Sequence, residues 1–305
     1  MIVWLASYPR SGNTLLRTIF KQTMDLGSYS DEALRPALGL TDAAKSEFGH
    51  IPIEEPWEQF YEKASASADV HLVKTHLPPR DAQPVIYVVR DGRQALVSYD
   101  NYHRRFFPEH TGGLMHLVLG DDHYGGWTAH HAQWMSGTRR ALLVHYEDLV
   151  AATEAPLRQL AEFVGHAGPV APWTNPFEEL HQENPGFFRQ GEVGWKGAPG
   201  WTPLVDGAFF HIHGELMREL HYVDGAALED ARRALGPELV QFVDLARSLL
   251  RQRQELDSVC GERLALTNAL DAEVKELDRA CRERLAVINV LDAEVKRLRA
   301  TLPDA

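Results

Sequence analysis

The chain has 305 residues, of which 44% are apolar and 24% charged, an ordinary globular balance that excludes collagen-like, mucin-like and wholly disordered chains. A formal net charge of −12 argues against a general binder of nucleic acid or anionic membrane, so any polyanion has to be held in a local pocket. There is no apolar run near the ~18 residues that span a bilayer and no basic leader, so the expectation is a cytoplasmic protein without a transmembrane segment. Two cysteines, Cys260 and Cys281, make neither a disulfide framework nor a four-ligand zinc set.

The first element, IVWLAS at 2–7, is a short apolar run bounded by Tyr8-Pro9 and reads as a buried strand. From Thr14 to Met24 the apolar residues Leu15, Leu16, Ile19 and Phe20 follow helical spacing. VHLVK at 70–74, VIYVV at 85–89 and ALLV at 141–144 read as further strands. Helical stretches follow in RDGRQALVSYDNY and at about 153–164. Strands alternating with helices predict an α/β fold, a central mostly parallel sheet flanked by helices. The segments 27–68 and 103–135 carry turns and mixed polarity. In such folds ligands sit beyond the carboxyl ends of the strands, and the unusual motifs fall there.

SYPRSGNT, Ser7 to Thr14, joins the first strand to the first helix. Unpaired N–H groups and the dipole at a helix N-terminus attract phosphate. Gly12 permits close approach, Ser11, Asn13 and Thr14 add donors, and Arg10 adds a charge. The same spelling also suits a plain strand–turn–helix, and no Walker A lysine is present. KTHLPP places Lys74 and His76 on one side of a strand end. A lysine beside a histidine favours the neutral imidazole, the form a general base needs; a surface lysine and a capping histidine are the plainer reading. In VVRDGRQALVSYDNY, Arg90 ends a strand and Ser98 lies along the next helix, a pair able to grip a second phosphate. FFRQGEVGWKGAPGW at 187–201 has the composition of a loop that closes over a nucleotide, or of an ordinary surface loop. His130-His131 and His211-x-His213 lack a third ligand at convincing spacing, so no metal is expected.

Beyond Gly236-Pro237 the composition shifts. A heptad register runs without a break over 239–302. It puts Arg253, Cys260, Thr267, Val274, Cys281, Ile288 and Val295 at position a, and Leu249, Leu256, Arg263, Leu270, Leu277, Arg284 and Leu291 at d. CGERLALTNALDAEVKEL is repeated 21 residues later as CRERLAVINVLDAEVKRL. That offset is three heptads, so both copies present one face. A helix over 239–302, roughly 95 Å long at ~1.5 Å per residue, cannot bury its own stripe. A coiled coil making a homo-oligomer through 239–302 is expected. Arg263, Arg284 and Thr267 interrupt the seam, as register-setting polar layers do, and the two cysteines read as small apolar packing residues.

Taken in order, the four motifs resemble those of the PAPS-dependent sulfotransferase family, whose donor is 3′-phosphoadenosine 5′-phosphosulfate. SYPRSGNT is similar to the 5′-phosphosulfate loop, KTHLP to the segment with the catalytic lysine and histidine, and VVRDGRQALVSYDNY to the 3′-phosphate motif. YGGWTAHHAQW, HYEDL and FFRQG also match family segments, and the resemblance spans roughly 1–205. It implies a P-loop-like phosphosulfate loop in which Arg10, Ser11, Gly12, Asn13 and Thr14 hold the 5′-phosphosulfate. It assigns Arg90 and Ser98 to the 3′-phosphate, Tyr146 to the adenine region, and Arg189 and Gly191 to closure over the 3′-phosphate. His76 becomes the general base, with Lys74 and Arg10 stabilising the transferred group and no metal needed. Departures are Arg10 for lysine, Leu15 for tryptophan, Gln190 for lysine and a shortened Gly194-Trp195-Lys196 segment. The expected organisation is a catalytic domain at 1–225, a linker or short helix at 226–238 and the coil at 239–302. The expected acceptor is a carbohydrate or glycoconjugate, with a small natural product or lipid as the alternative. Phosphoryl transfer and a coiled-coil scaffold with a PAP-binding pocket are the competing readings.

Overall fold

A computed structural model describes residues 1–32, 40–107, 112–151, 153–176, 181–182 and 194–301. The chain divides into two compact units, Met1–Asp244 and Leu245–Ala305.

The first unit is built on a five-stranded sheet of β1 (Ile2–Ser7), β2 (Tyr29–Ser30), β3 (His71–Thr75), β4 (Val85–Val89) and β5 (Ala141–His145). The spatial order is β2-β3-β1-β4-β5 and every recorded pairing is parallel. All six residues of β1 are buried, as a strand covered on both faces must be. Its side chains alternate between two cores. Ile2, Trp4 and Ala6 face one cluster; Val3 and Leu5 face the other. The second core is completed by α1 (Asn13–Met24), α7 (Tyr146–Ala151) and α8 (Glu154–Val164), through Leu16, Phe20, Leu149 and Leu160. The first core takes α3 (Trp57–Ala66), α4 (Gly92–Phe106), α5 (Gly113–Leu119), α6 (Trp127–Met135) and α9 (Pro203–Glu219), through Phe60, Leu96, Leu117, Trp134 and Phe209. α2 (Asp42–Glu47) and α10 (Gly225–Leu235) complete this unit's helices among the described residues, together with the first residues of α11 (Pro237–Thr301).

The predicted α/β architecture and the long C-terminal helix are present. The segments expected to be turns contain the two-residue edge strand β2 and the helices α2, α3, α5 and α6. Since β1 is flanked by β3 on one side and β4 on the other, its carboxyl end lies at the topological switch point of the sheet. The loops after β1, β3 and β4 emerge there together.

Candidate active site

After β1 the chain turns through Tyr8 to Gly12 into α1. Arg10 and Gly12 adopt left-handed φ values of 64° and 110°. A Cβ at position 12 would stand 2.5 Å from Cδ2 of Tyr146, so only glycine fits. No side chain caps α1 among the described residues, which leaves the N–H groups of its first turn available to an anion. The buried Ser11 hydroxyl and Asn13 Oδ1 also lack a hydrogen-bond partner among the described residues, a cost to folding unless a ligand satisfies them. Asn13 Nδ2 is taken up by the chain itself, donating to the Leu5 carbonyl at 2.7 Å and to Ser7 Oγ at 3.4 Å. It ties the loop to β1, leaving the backbone amide as its free donor toward a ligand.

The loop is joined to the next motif. Arg10 Nε donates to Ser98 Oγ at 3.4 Å, and Arg90 Nη1 donates to the Arg10 carbonyl at 3.3 Å. The Arg90 guanidinium lies 4.3 Å from the Tyr146 ring centroid and that of Arg10 lies 5.2 Å from Tyr102. Arg10, Ser11, Gly12, Arg90, Ser98 and Tyr146, far apart in sequence, therefore converge. Stacking on an aromatic face helps to hold each guanidinium, and Arg90 Nε also donates to Gln94 Oε1 at 3.2 Å. Arg189 and Gly191 lie outside the described residues. The described tail of their loop docks on the start of α4: Gln94 Nε2 donates to the Gly194 carbonyl at 2.5 Å and Arg93 stacks on Trp195 at 5.2 Å.

At the end of β3, His76 Nδ1 lies 2.7 Å from the Ser7 carbonyl. A carbonyl only accepts, so Nδ1 carries the proton and Nε2 holds the lone pair. His130 repeats the logic one layer back. Its Nε2 donates to the His76 carbonyl at 2.8 Å, and its Nδ1 accepts from the Tyr87 hydroxyl at 2.8 Å. Burial first, then the charge of Lys74, lowers the His76 pKa to about 3, so the ring is neutral at pH 7. Lys74 donates to Glu32 Oε2 at 2.5 Å, and Tyr124 donates to Glu32 Oε1 at 2.5 Å. Burial opposes ionisation of Glu32, but Lys74, His76 and these hydrogen bonds outweigh it and hold its pKa at about 2.

Glu32, Tyr124, His130 and Tyr102 belong to this assembly and were not marked by sequence. Glu32 is 42 positions from Lys74 and no spacing rule links them. His130 lay in a histidine pair to which sequence assigned no role; it braces the His76 backbone. His211 pairs with Asp244 at 2.8 Å, while His213 contacts Thr128 and the Val118 carbonyl. Among the described residues no group of three or more His, Cys, Asp or Glu side chains is arranged to hold a metal.

Burial lowers the pKa of His50 and His130 to about 4, alongside His76. The unfolded chain titrates these groups near 6.5 and so binds more protons than the folded chain below that pH. Stability is therefore full above about 6.5 and falls as the pH drops toward 4. Thermal denaturation between pH 7.5 and 4.5 should show a falling Tm, with a shallower fall in His50→Gln.

A family model described as "Sulfotransferase domain" matches residues 2–196. Sulfotransferase 4A1 of Mus musculus is 27% identical over 198 residues, 59% of this chain and 65% of the relative. Sulfotransferase 1A1 of Rattus norvegicus is 23% identical over 180 residues, 54% of this chain and 60% of the relative. The chain thus spans less than two thirds of the length of these curated relatives. Among solved structures, mouse sulfotransferase SULT7A1 complexed with PAP aligns with a TM-score of 0.48 at 20% identity, covering 76% of this chain and 88% of that one.

Proposed function

The chain belongs to the sulfotransferase-domain family, and on that premise we propose that it moves a sulfuryl group from PAPS to a hydroxyl or amine of an acceptor. The observation that carries this reading is the tautomer of His76: Nδ1–H is committed to the Ser7 carbonyl, so Nε2 is the base. It stands at the same sheet edge as the partnerless Ser11 hydroxyl and the uncapped start of α1.

The residues fit the donor as follows. Arg10, Ser11, Thr14 and the amides of Gly12 and Asn13 hold the 5′-phosphosulfate; Arg90 and Ser98 hold the 3′-phosphate, over which Arg189 and Gly191 close; Tyr146, already stacked under Arg90, borders the adenine region. His76 Nε2 takes the acceptor proton as the acceptor oxygen or nitrogen bonds to sulfur and the S–O bond to the 5′-phosphate breaks. Arg10, Lys74 and the loop amides offset the charge that gathers on the departing oxygen. Lys74 gives one of its three donors to Glu32 and has others to offer the sulfuryl group.

We take the acceptor to be a carbohydrate or glycoconjugate. The ionised Glu32 beside Tyr124, with Tyr99 and Tyr102 in the adjoining ring cluster, offers an acceptor for hydroxyls next to aromatic faces. No described helix is long and apolar enough to cross a membrane, and we place the activity in the cytoplasm. Residues 239–302 supply the contact for a homo-oligomer, apart from a catalytic domain at 1–225 and a connecting segment at 226–238.

Incubation with ³⁵S-labelled PAPS and a panel of glycans, phenols and lipids tests the reading; no transfer to any acceptor, together with no binding of PAP, overturns it. Arg90→Ala should weaken PAP binding about tenfold or more, the loss of a charge-assisted contact. Binding of the analogue without a 3′-phosphate should change little. Calorimetry with both ligands makes the comparison. The acid limb of kcat/KM should lie well below 6.5, because the base of the free enzyme has a lowered pKa.

A further inference from the structure

The described residues of the second unit, Leu245–Ala305, lie within the single helix α11. Its apolar stripe has no partner: Leu256, Leu270, Val274 and Ile288 are 52–65% exposed. A straight helix with such a stripe needs a second surface. Resting on the homo-oligomer reading above, we propose that α11 pairs with the α11 of a second copy in antiparallel orientation, in the register that sets Cys260 against Arg284 of the partner subunit.

The three arginines of the seam set the orientation. In a parallel pair each a or d residue meets its own copy. Arg253, Arg263 and Arg284 would then form three layers of like charge, while the small Cys260 and Cys281 would face each other and leave space. Juxtaposed like charges in a desolvated seam are costly. In an antiparallel pair position a faces d of the other chain. The 21-residue repeat then has a specific effect: any register that puts Cys260 opposite Arg284 of the partner subunit also puts Cys281 opposite Arg263 of the partner subunit. Large then meets small in both layers. The same register places Arg253 against a leucine, Leu291 of the partner subunit. It closes the apolar layers around the centre, with Leu270 against Val274 of the partner subunit and Leu256 against Ile288 of the partner subunit.

Charge agrees with this register. Among the described residues neither Arg263 nor Arg284 is paired with a carboxylate, whereas many other arginines and lysines of α11 have i,i+3 or i,i+4 partners. Asp257 and Asp278, which within the single chain pair with Arg253 and Arg282 and as carboxylates can each accept from a second arginine, precede Cys260 and Cys281 by three residues on the helix. The antiparallel register brings Arg284 of the partner subunit to Asp257 and Arg263 of the partner subunit to Asp278. Such a pair is closed by a two-fold axis, each contact being made twice.

Both cysteines are exposed in the single chain, and they report the geometry. In the proposed register Cys260 and Cys281 of the partner subunit lie one layer apart, about 4.5 Å along the axis at ~1.5 Å per residue. Two copies of Cys281 lie about 27 Å apart and two copies of Cys260 about 36 Å apart on the same scale. Full-length C260S and C281S chains are prepared separately and also co-expressed with different tags, then treated with bismaleimidoethane. Cross-linked dimer in the mixture, with none in either single variant, is the expected result. A cross-link within C260S alone or C281S alone means a parallel coil and overturns the proposal. A dimeric mass without a cross-link in the mixture overturns the register. Light scattering that returns the chain mass of 34.3 kDa instead of twice that value overturns the oligomer reading itself.

Discussion

His76→Ala should lower sulfuryl transfer by at least about 100-fold, the lower end of what a positioned general base contributes, with PAP affinity unchanged. The two readouts separate for a structural reason. The His76 imidazole is oriented by the Ser7 carbonyl, and His130 holds the His76 carbonyl from behind. Among the described residues, none of those assigned to either phosphate hydrogen-bonds to the ring, whose hydrogen-bond contacts are with Ser7. His76→Asn is the companion variant, since its amide can still donate to Ser7 yet provides no basic nitrogen. It should bind PAP normally and be as inactive as the alanine variant. Turnover within threefold of the parent in either variant would remove His76 from the chemistry.

Gly12→Ala should lose donor binding by at least tenfold and also lower the Tm. Two costs add here. The φ of 110° is a conformation that residues with a Cβ avoid, and strain of this kind is worth about 1–3 kcal/mol. The new methyl also meets the Tyr146 ring at 2.5 Å, so Tyr146 or the loop has to shift, and Tyr146 supports Arg90. Adding Tyr146→Ala relieves the clash and leaves the backbone strain. The double variant should therefore recover none of the affinity, and its Tm should stay below the parent's because Tyr146 is itself buried in the second core. Differential scanning fluorimetry with and without PAP gives both quantities; a Gly12→Ala protein with parental Tm and affinity would show that the loop adopts another conformation.

Sequence marked the frame of this site better than its interior. The strands at 2–7 and 85–89 are legible because buried parallel strands are continuous apolar runs; β3 is shifted from expectation by one residue at each end and β5 is one residue longer. β2 leaves no trace, for two residues at a sheet edge carry no period. α3 was spelled out by Trp57, Phe60 and Tyr61, a three-to-four spacing that mixed polarity around it obscured. That Arg10, Arg90 and Ser98 come together was legible because they sit within short motifs at strand ends. Glu32 and Tyr124 were not, because what unites them with Lys74 and His76 is contact across the sheet edge. Such contacts have no signature in a single sequence. The same holds for Asn13, whose side chain secures the loop while its motif suggested a ligand role.

The position of β1 at the middle of an all-parallel sheet bears on how the protein is made. This strand leaves the ribosome ahead of both neighbours, and Leu5 waits for Lys74 and then Ile86 before its ladder is complete. Until then the five apolar residues of this strand, Ile2 to Ala6, are exposed without partners, a state open to aggregation during synthesis. Slowing translation downstream of β4 should give the nascent chain time to seat this strand, while stalling upstream of β3 should leave it bound to chaperones.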